Sequence, residues 1–84
     1  MPWAMRRDRK WHVLIINDSN EARYNVSVHG EQVTRPWEWE VFEAHETKEI
    51  RVMHGDDASR EIDITWDDSA AAGSPRRHWR GLPA

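Results

Sequence analysis

"ARYNVSVHG", residues 22–30, sets Ala22, Tyr24, Val26 and Val28 in alternation with Arg23, Asn25, Ser27 and His29. One apolar row and one polar row with a period of two mark an antiparallel strand lying on a core. The same pattern extends outward on both sides. "REIDITW" (60–66) sends Ile62, Ile64 and Trp66 one way and Glu61, Asp63 and Thr65 the other. "WHVLIIN" (11–17) is rich in strand-forming residues on both faces. The overlapping "NDSN" (17–20) ends it with side chains that hydrogen-bond their own backbone in turns.

Further along, Ile50 and Val52 alternate with Glu49, Arg51 and Met53. "HGDDAS" (54–59) has the residues of a hairpin loop joining that strand to 60–66. After residue 66, the three alanines of "DDSAAAGSP" are too few to nucleate a helix. "RRHWRG" (76–81) follows as a last strand with Trp79 inward.

"RPWEWEVFEAHE" (35–46) admits two readings. As a strand, Trp37, Trp39 and Val41 share one face, and Glu38, Glu40 and Phe42 the other. As a helix capped by Thr34, Trp37, Val41 and Ala44 share a face. The two tryptophans would then point about 200° apart, which wastes one of them. The strand reading is preferred. Six or seven short strands separated by turn signals predict an all-β antiparallel sandwich, one domain over 11–82.

An 84-residue chain is short of core. A domain of that size buries only about 60% of its unfolded surface and often relies on a staple. Cysteine is absent, so no disulfide or thiolate metal site can serve. Six tryptophans are the remaining source of bulk, each able to bury about 150–250 Å². The net charge of −3 conceals a pattern. Residues 1–10 and 76–84 are each +3, whereas 11–75 carry five basic against fourteen acidic side chains. Residues 1–10 read as a basic N-terminal arm that either folds back on the acidic body or runs over a neighbouring subunit or a partner, the latter being preferred, with Trp3 and Met5 as apolar anchors and Arg6, Arg7 and Arg9 meeting carboxylates. The apolar run Val13 to Ile16 is four residues long, too short for a signal peptide or a spanning helix. The expectation is no membrane partner and a cytoplasmic location, or assembly from the cytoplasm into a larger particle.

Two stretches resemble a known family. "NDSNEARYNVSV" is similar to the Asn-x-Gly-x-x-x-Ala-x-x-Val-x-Val signature of small bacterial immunoglobulin-like domains of the CARDB and fibronectin-III-like kind. "EIDITWDD…G…RRHWRGLP" resembles the last hairpin of the same group. Asn17, Tyr24, Asn25, Val26, Val28, Ile64, Trp66 and Trp79 carry the likeness. Ser19 and Arg23 depart from the pattern's Gly and Ala, and "AHE" (44–46) stands where a Pro-Gly-Glu turn is usual. The resemblance implies an immunoglobulin-like sandwich and an adhesive or accessory module without catalysis. It transfers no functional site.

Chemistry is sparse. Glu38, Glu40 and Glu43 form a carboxylate group, but glycoside hydrolysis needs such a pair in a cleft. His12, His29, His45, His54 and His78 lie at no metal-ligand spacing. Asp56-Asp57 and Asp67-Asp68 lack the alternation of a calcium loop. No catalytic set, metal or cofactor is expected. "RRDRK" and "RRHWR" raise nucleic-acid binding, which an acidic body disfavours. Glu61, Asp63 and Asp67 offer Arg76, Arg77 and Arg80 nearer partners across the final hairpin. Trp37 and Trp39 are either core or an exposed stacking platform. The expected function is non-enzymatic binding of another protein or of its own copies, through Trp3, Met5, Arg6, Arg7, Arg9, Trp37 and Trp39. Such a module could be an accessory or decorating subunit of an assembly such as a phage particle. A carbohydrate- or ligand-binding module using Trp37 and Trp39 is the alternative, and a small anti-defence or regulatory protein a third.

Overall fold

The computed structural model describes residues 2–53 and 60–83. One antiparallel sheet holds β1 (Trp3–Arg7), β2 (His12–Asn17) and β5 (Thr47–Arg51) in the order β1-β2-β5. The other holds β3 (Arg23–His29), β4 (Trp37–Phe42), β6 (Ile62–Asp67) and β7 (Arg76–Gly81) in the order β4-β3-β6-β7. The sheets pack as a sandwich, and no helix among the described residues is long and apolar enough to cross a membrane.

Period-two patterning builds the core. Val13 and Ile15 of β2, Val26 and Val28 of β3, Ile50 of β5, and Ile62, Ile64 and Trp66 of β6 are all buried. Each aliphatic contributes about 1.5–3 kcal/mol by leaving water. Lys48 of β5 lies over the ring of Trp39 in β4, and Trp3 of β1 meets Trp66 of β6. The β5 edge therefore lies over the β4 edge, and Trp3 of β1 reaches Phe42 at the end of β4 as well as Trp66.

Three expectations are corrected. The first concerns the N-terminus, where residues 3–7 are a strand rather than a free basic arm, so the sandwich begins at Trp3 and not at residue 11. Trp3 is 0% exposed, with its ring edge-on to Phe42 at 5.1 Å and to Trp66 at 5.5 Å. Met5 is buried beside it. Residues two apart on a strand share a face, so Trp3-x-Met5 is a short apolar row, and a domain short of bulk gains a tryptophan from it. The turn is closed by the His12 N–H donating to the Arg9 carbonyl at 3.0 Å and the Asp8 N–H to the His12 carbonyl at 3.2 Å.

Second, β5 and β6 are not a hairpin. β5 pairs with β2, and β6 with β3 and β7, so the chain crosses between sheets. The "HGDDAS" loop itself lies outside the described residues. Turn residues mark where a chain changes direction, not the sheet to which it returns.

Third, the inward row changes phase within β3 and β4. Asn25 has φ 50°, and the β3–β6 register shifts between Tyr24 and Ser27. Asparagine tolerates this left-handed conformation better than most residues, and a bulge there re-aims the side chains that follow. Val26 and Val28 remain inward, but ahead of the bulge Arg23, paired with Phe42, takes the inward place expected of Tyr24. In β4 it is Phe42 that is 0% exposed, whereas Val41, opposite Tyr24, is 40% exposed. The Arg23 guanidinium lies 5.0 Å from the Trp3 ring and 4.8 Å from that of Trp66, a cation held on aromatic faces. Burial pulls its pKa below the ordinary arginine value, and Asp68 and Glu21 oppose that shift.

Asn17 closes the same end. Fully buried, its Nδ2 donates to the carbonyls of Glu21 (2.9 Å), Phe42 (3.1 Å) and Glu43 (3.1 Å), and its Oδ1 accepts from Ser19 Oγ at 2.8 Å. Its main chain binds the turn between β4 and β5, through Asn17 N–H to the Glu46 carbonyl and His45 N–H to the Asn17 carbonyl. His45 stands at the glycine place of the resembled Pro-Gly-Glu turn and has φ 59°. Its Nε2 lies 2.8 Å from Asn20 Oδ1, a side-chain contact that glycine could not make.

Candidate functional site

The outward face of the four-stranded sheet gathers charged side chains in register. Glu38, Ser27, Thr65 and His78 stand side by side across β4, β3, β6 and β7. His29, Asp63 and Arg80 form the adjoining row. Arg80 Nε donates to Asp63 Oδ1 at 2.8 Å and lies 3.5 Å from Glu61, and His78 Nε2 is 2.8 Å from the same Asp63 oxygen. The hydrogen bond from Arg80, supported by His78, holds the Asp63 carboxyl below the usual carboxylate range, and Asp63 raises Arg80 in turn.

Arg76 reaches across the sheet. Its Nη1 donates to the Asn25 carbonyl at 2.6 Å and lies 3.3 Å from Asp67 Oδ1, and its Nη2 donates to Thr65 Oγ1 at 2.9 Å. Asn25 Nδ2 donates to Asp67 Oδ2 at 2.9 Å. The hydrogen bond from that amide, opposed by desolvation and supported by Arg76, lowers the Asp67 pKa. The bulge that reverses the phase of β3 thus also turns the Asn25 side chain onto the face. Arg77 pairs with Asp68 at 2.7 Å.

Between β4 and Arg76 runs an open groove of about 610 Å³, lined by Glu38, Glu40, Asn25, Ser27 and Asp67. No ion pair among the described residues involves Glu38 or Glu40. The basic wall is neutralised internally, and the acidic wall is open to an incoming cation.

The residues singled out from the sequence do not converge. Trp3 and Met5 are core and cannot at the same time anchor a partner. Arg6, Arg7 and Arg9 are exposed, but they lie at the end of β1 and in the turn after it, on the other sheet. Arg9 Nη2 donates to Glu49 at 3.1 Å, within its own chain. Trp37 and Trp39 are half-buried and packed against the core. Their rings stack at 6.3 Å with 26° between planes, and Arg35 and Lys48 lie over them at 4.8 and 5.7 Å. Ring faces occupied in this way do not form an open sugar platform.

The cross-strand pairing expected from the acidic and basic residues of the last hairpin is present. Arg76 takes Asp67 and Arg80 takes Asp63 and Glu61, while Arg77 takes Asp68. Asn25, Ser27 and Thr65 were not legible as site residues; only their place on the polar row of each strand hinted at it. Trp79 is half-buried against the core, and its ring lies across Gly81, where a Cβ would collide with it. Among the described residues no three His, Asp or Glu side chains converge as a metal site; His54 and Asp56-Asp57 lie outside those residues. Comparison with protein-family models, with curated proteins and with solved structures finds no match.

These carboxylates predict an acid limit to stability. Asp63, Asp67 and Glu46, the last lowered first by the Glu43 N–H, all have folded pKa values below their ordinary ones. The unfolded chain therefore binds more protons in acid, and the stabilisation present above the ordinary carboxylate range is lost as pH falls through the folded values. The melting temperature should be level from about pH 7 to 5 and fall below about pH 4. Asp63→Asn should flatten that fall, and an unchanged profile in this variant would show that the Asp63 pairs do not contribute to it.

Proposed function

We propose that this chain is a non-enzymatic protein–protein interaction module of the immunoglobulin-like kind, serving as an accessory subunit of a larger assembly. Seven strands divided three and four between two antiparallel sheets support the resemblance, as does the burial of Asn17, Val26, Val28, Ile64 and Trp66. The observation that carries the reading is the face of the four-stranded sheet. It presents an open groove with an uncompensated acidic wall beside an ordered network of arginines and carboxylates. Charge fixed in place by its neighbours suits recognition of a complementary surface, giving specificity and encounter rate more than raw affinity.

Affinity capture tests this. The full chain, immobilised, is exposed to an extract of the source organism beside two variants, Ser27→Tyr, which fills the groove floor, and Arg6→Ala, on the other sheet. Wild type and Arg6→Ala should retain the same protein, and Ser27→Tyr should lose it while melting normally. Retention undiminished by Ser27→Tyr would place binding elsewhere. Failure to retain any protein, further copies of this chain included, would overturn the module reading.

A further inference from the structure

The two edges of the four-stranded sheet complement each other. β4 and β7 are its outermost strands, and neither pairs with a further strand among the described residues. An unpaired edge is a template for another chain, and like charges along it ordinarily prevent such pairing. Here the exposed side chains are of opposite sign, those of β7 being shared with carboxylates of β6 and of the residue after it. Over Trp37–Phe42 the only charged residues are Glu38 and Glu40, whereas Arg76–Gly81 carries Arg76, Arg77 and Arg80 with His78.

We propose, resting on the interaction-module reading, that the partner of this surface is a second copy of the chain, the β4 edge of one copy pairing with the β7 edge of the next. Strand direction permits it. All neighbours in the order β4-β3-β6-β7 are antiparallel, so with four strands β7 runs opposite to β4. A copy shifted along the sheet without being turned over therefore presents its β4 antiparallel to the first copy's β7. Four strands against three also make this sheet the wider layer, by about 4.8 Å.

Side-chain phase agrees. Glu38 and Glu40 share the outward face with His78 and Arg80, and Trp37 and Trp39 share the inward side with Trp79. Two registers set outward residues against outward ones and match both rows: Glu38 opposite His78 brings Glu40 to Arg76 and Trp37 to Trp79, and Glu40 opposite His78 brings Glu38 to Arg80 and Trp39 to Trp79. Opposite charges and aromatic pairs directly across a ladder are both favourable. A slip of one residue sets the outward row of one copy against the inward row of the other, loses the tryptophan match and leaves Arg77 as the one cation of β7 that a glutamate can meet. Pairing β4 with β4 or β7 with β7 sets like charges together, so the contact is head to tail and continues into a chain or a closed ring.

Sedimentation of the intact protein should show concentration-dependent association that weakens with salt, because exposed charges are screened beyond about 8 Å at physiological ionic strength. Glu38→Lys with Glu40→Lys touches no ion pair among the described residues and should weaken association about tenfold or more, since it sets like charges in contact. The absence of cysteine permits a second test. Within one copy β4 and β7 are three strand spacings apart, about 14 Å, too far for a disulfide. Glu38→Cys/His78→Cys and Glu40→Cys/His78→Cys, oxidised mildly, should give a ladder of covalent oligomers in steps of 10.0 kDa from at least one pair. Each single-cysteine variant should stop at a trace of dimer. Monomer alone, or single-cysteine dimers formed as readily as the ladder, would overturn the proposal. A monomeric chain that still retains another protein through the Ser27 groove would leave the module reading standing without it.

Discussion

Trp3→Ala should lower stability by about 3–5 kcal/mol, the range for removing a large buried aromatic. A domain of this length has roughly 4–13 kcal/mol in total, so the variant should be close to unfolding at room temperature. Trp3 joins three parts of the core: it meets Phe42 of β4 and Trp66 of β6 edge-on and takes the Arg23 cation on its ring. Removing it also leaves that guanidinium half-buried with one aromatic face instead of two. Deletion of residues 1–9 should be worse, because β2 then loses its antiparallel neighbour as well. Denaturant unfolding checks both. A truncated chain with the wild-type midpoint would mean that residues 1–9 are a dispensable arm after all.

Asn17→Ala should cost about 2–5 kcal/mol, since the carbonyls of Glu21, Phe42 and Glu43 lose their donor and cannot all regain one from water. Asn17→Asp is nearly isosteric but should cost more at neutral pH, where a carboxylate would face three carbonyl oxygens. Its folded pKa would be raised, so this variant should gain stability as pH falls from 7 toward 5, where the wild type stays level. Thermal melts at several pH values separate the two behaviours. An Asn17→Asp variant as stable as wild type at pH 7 would show that the side chain does not donate as described.

Much of this fold can be read from one period. Val26 and Val28, Ile62 and Ile64, and Val13 and Ile15 alternate without interruption, and all six are core. The failures have local causes. In β1 the apolar row is only Trp3 and Met5 before Arg6 and Arg7 intervene, so net charge masked a strand whose worth lies in one large side chain. In β3 and β4 the alternation is sound on each side of Asn25 but not across it, which exchanged Arg23 with Tyr24 and Phe42 with Val41. A polar residue that tolerates positive φ inside an apolar alternation was the available sign. The charged face was half legible. Opposite charges on neighbouring strands predicted the Arg76 and Arg80 pairs, yet the groove depends on Asn25, Ser27 and Thr65, polar residues that sequence alone cannot distinguish from any solvated row. Which edge strands remain open follows from the crossing between sheets, and that is a property of topology.

Amide hydrogen exchange on the free chain and on its captured complex, whether the second component is another copy or a different protein, tests most directly the claim that binding runs through the four-stranded sheet. Complex formation should slow exchange in Trp37–Phe42 and Arg76–Gly81 and leave Trp3–Arg7 and Thr47–Arg51 unchanged. Slowing confined to Trp3–Arg7 or Thr47–Arg51, with β4 and β7 unaffected, would contradict it.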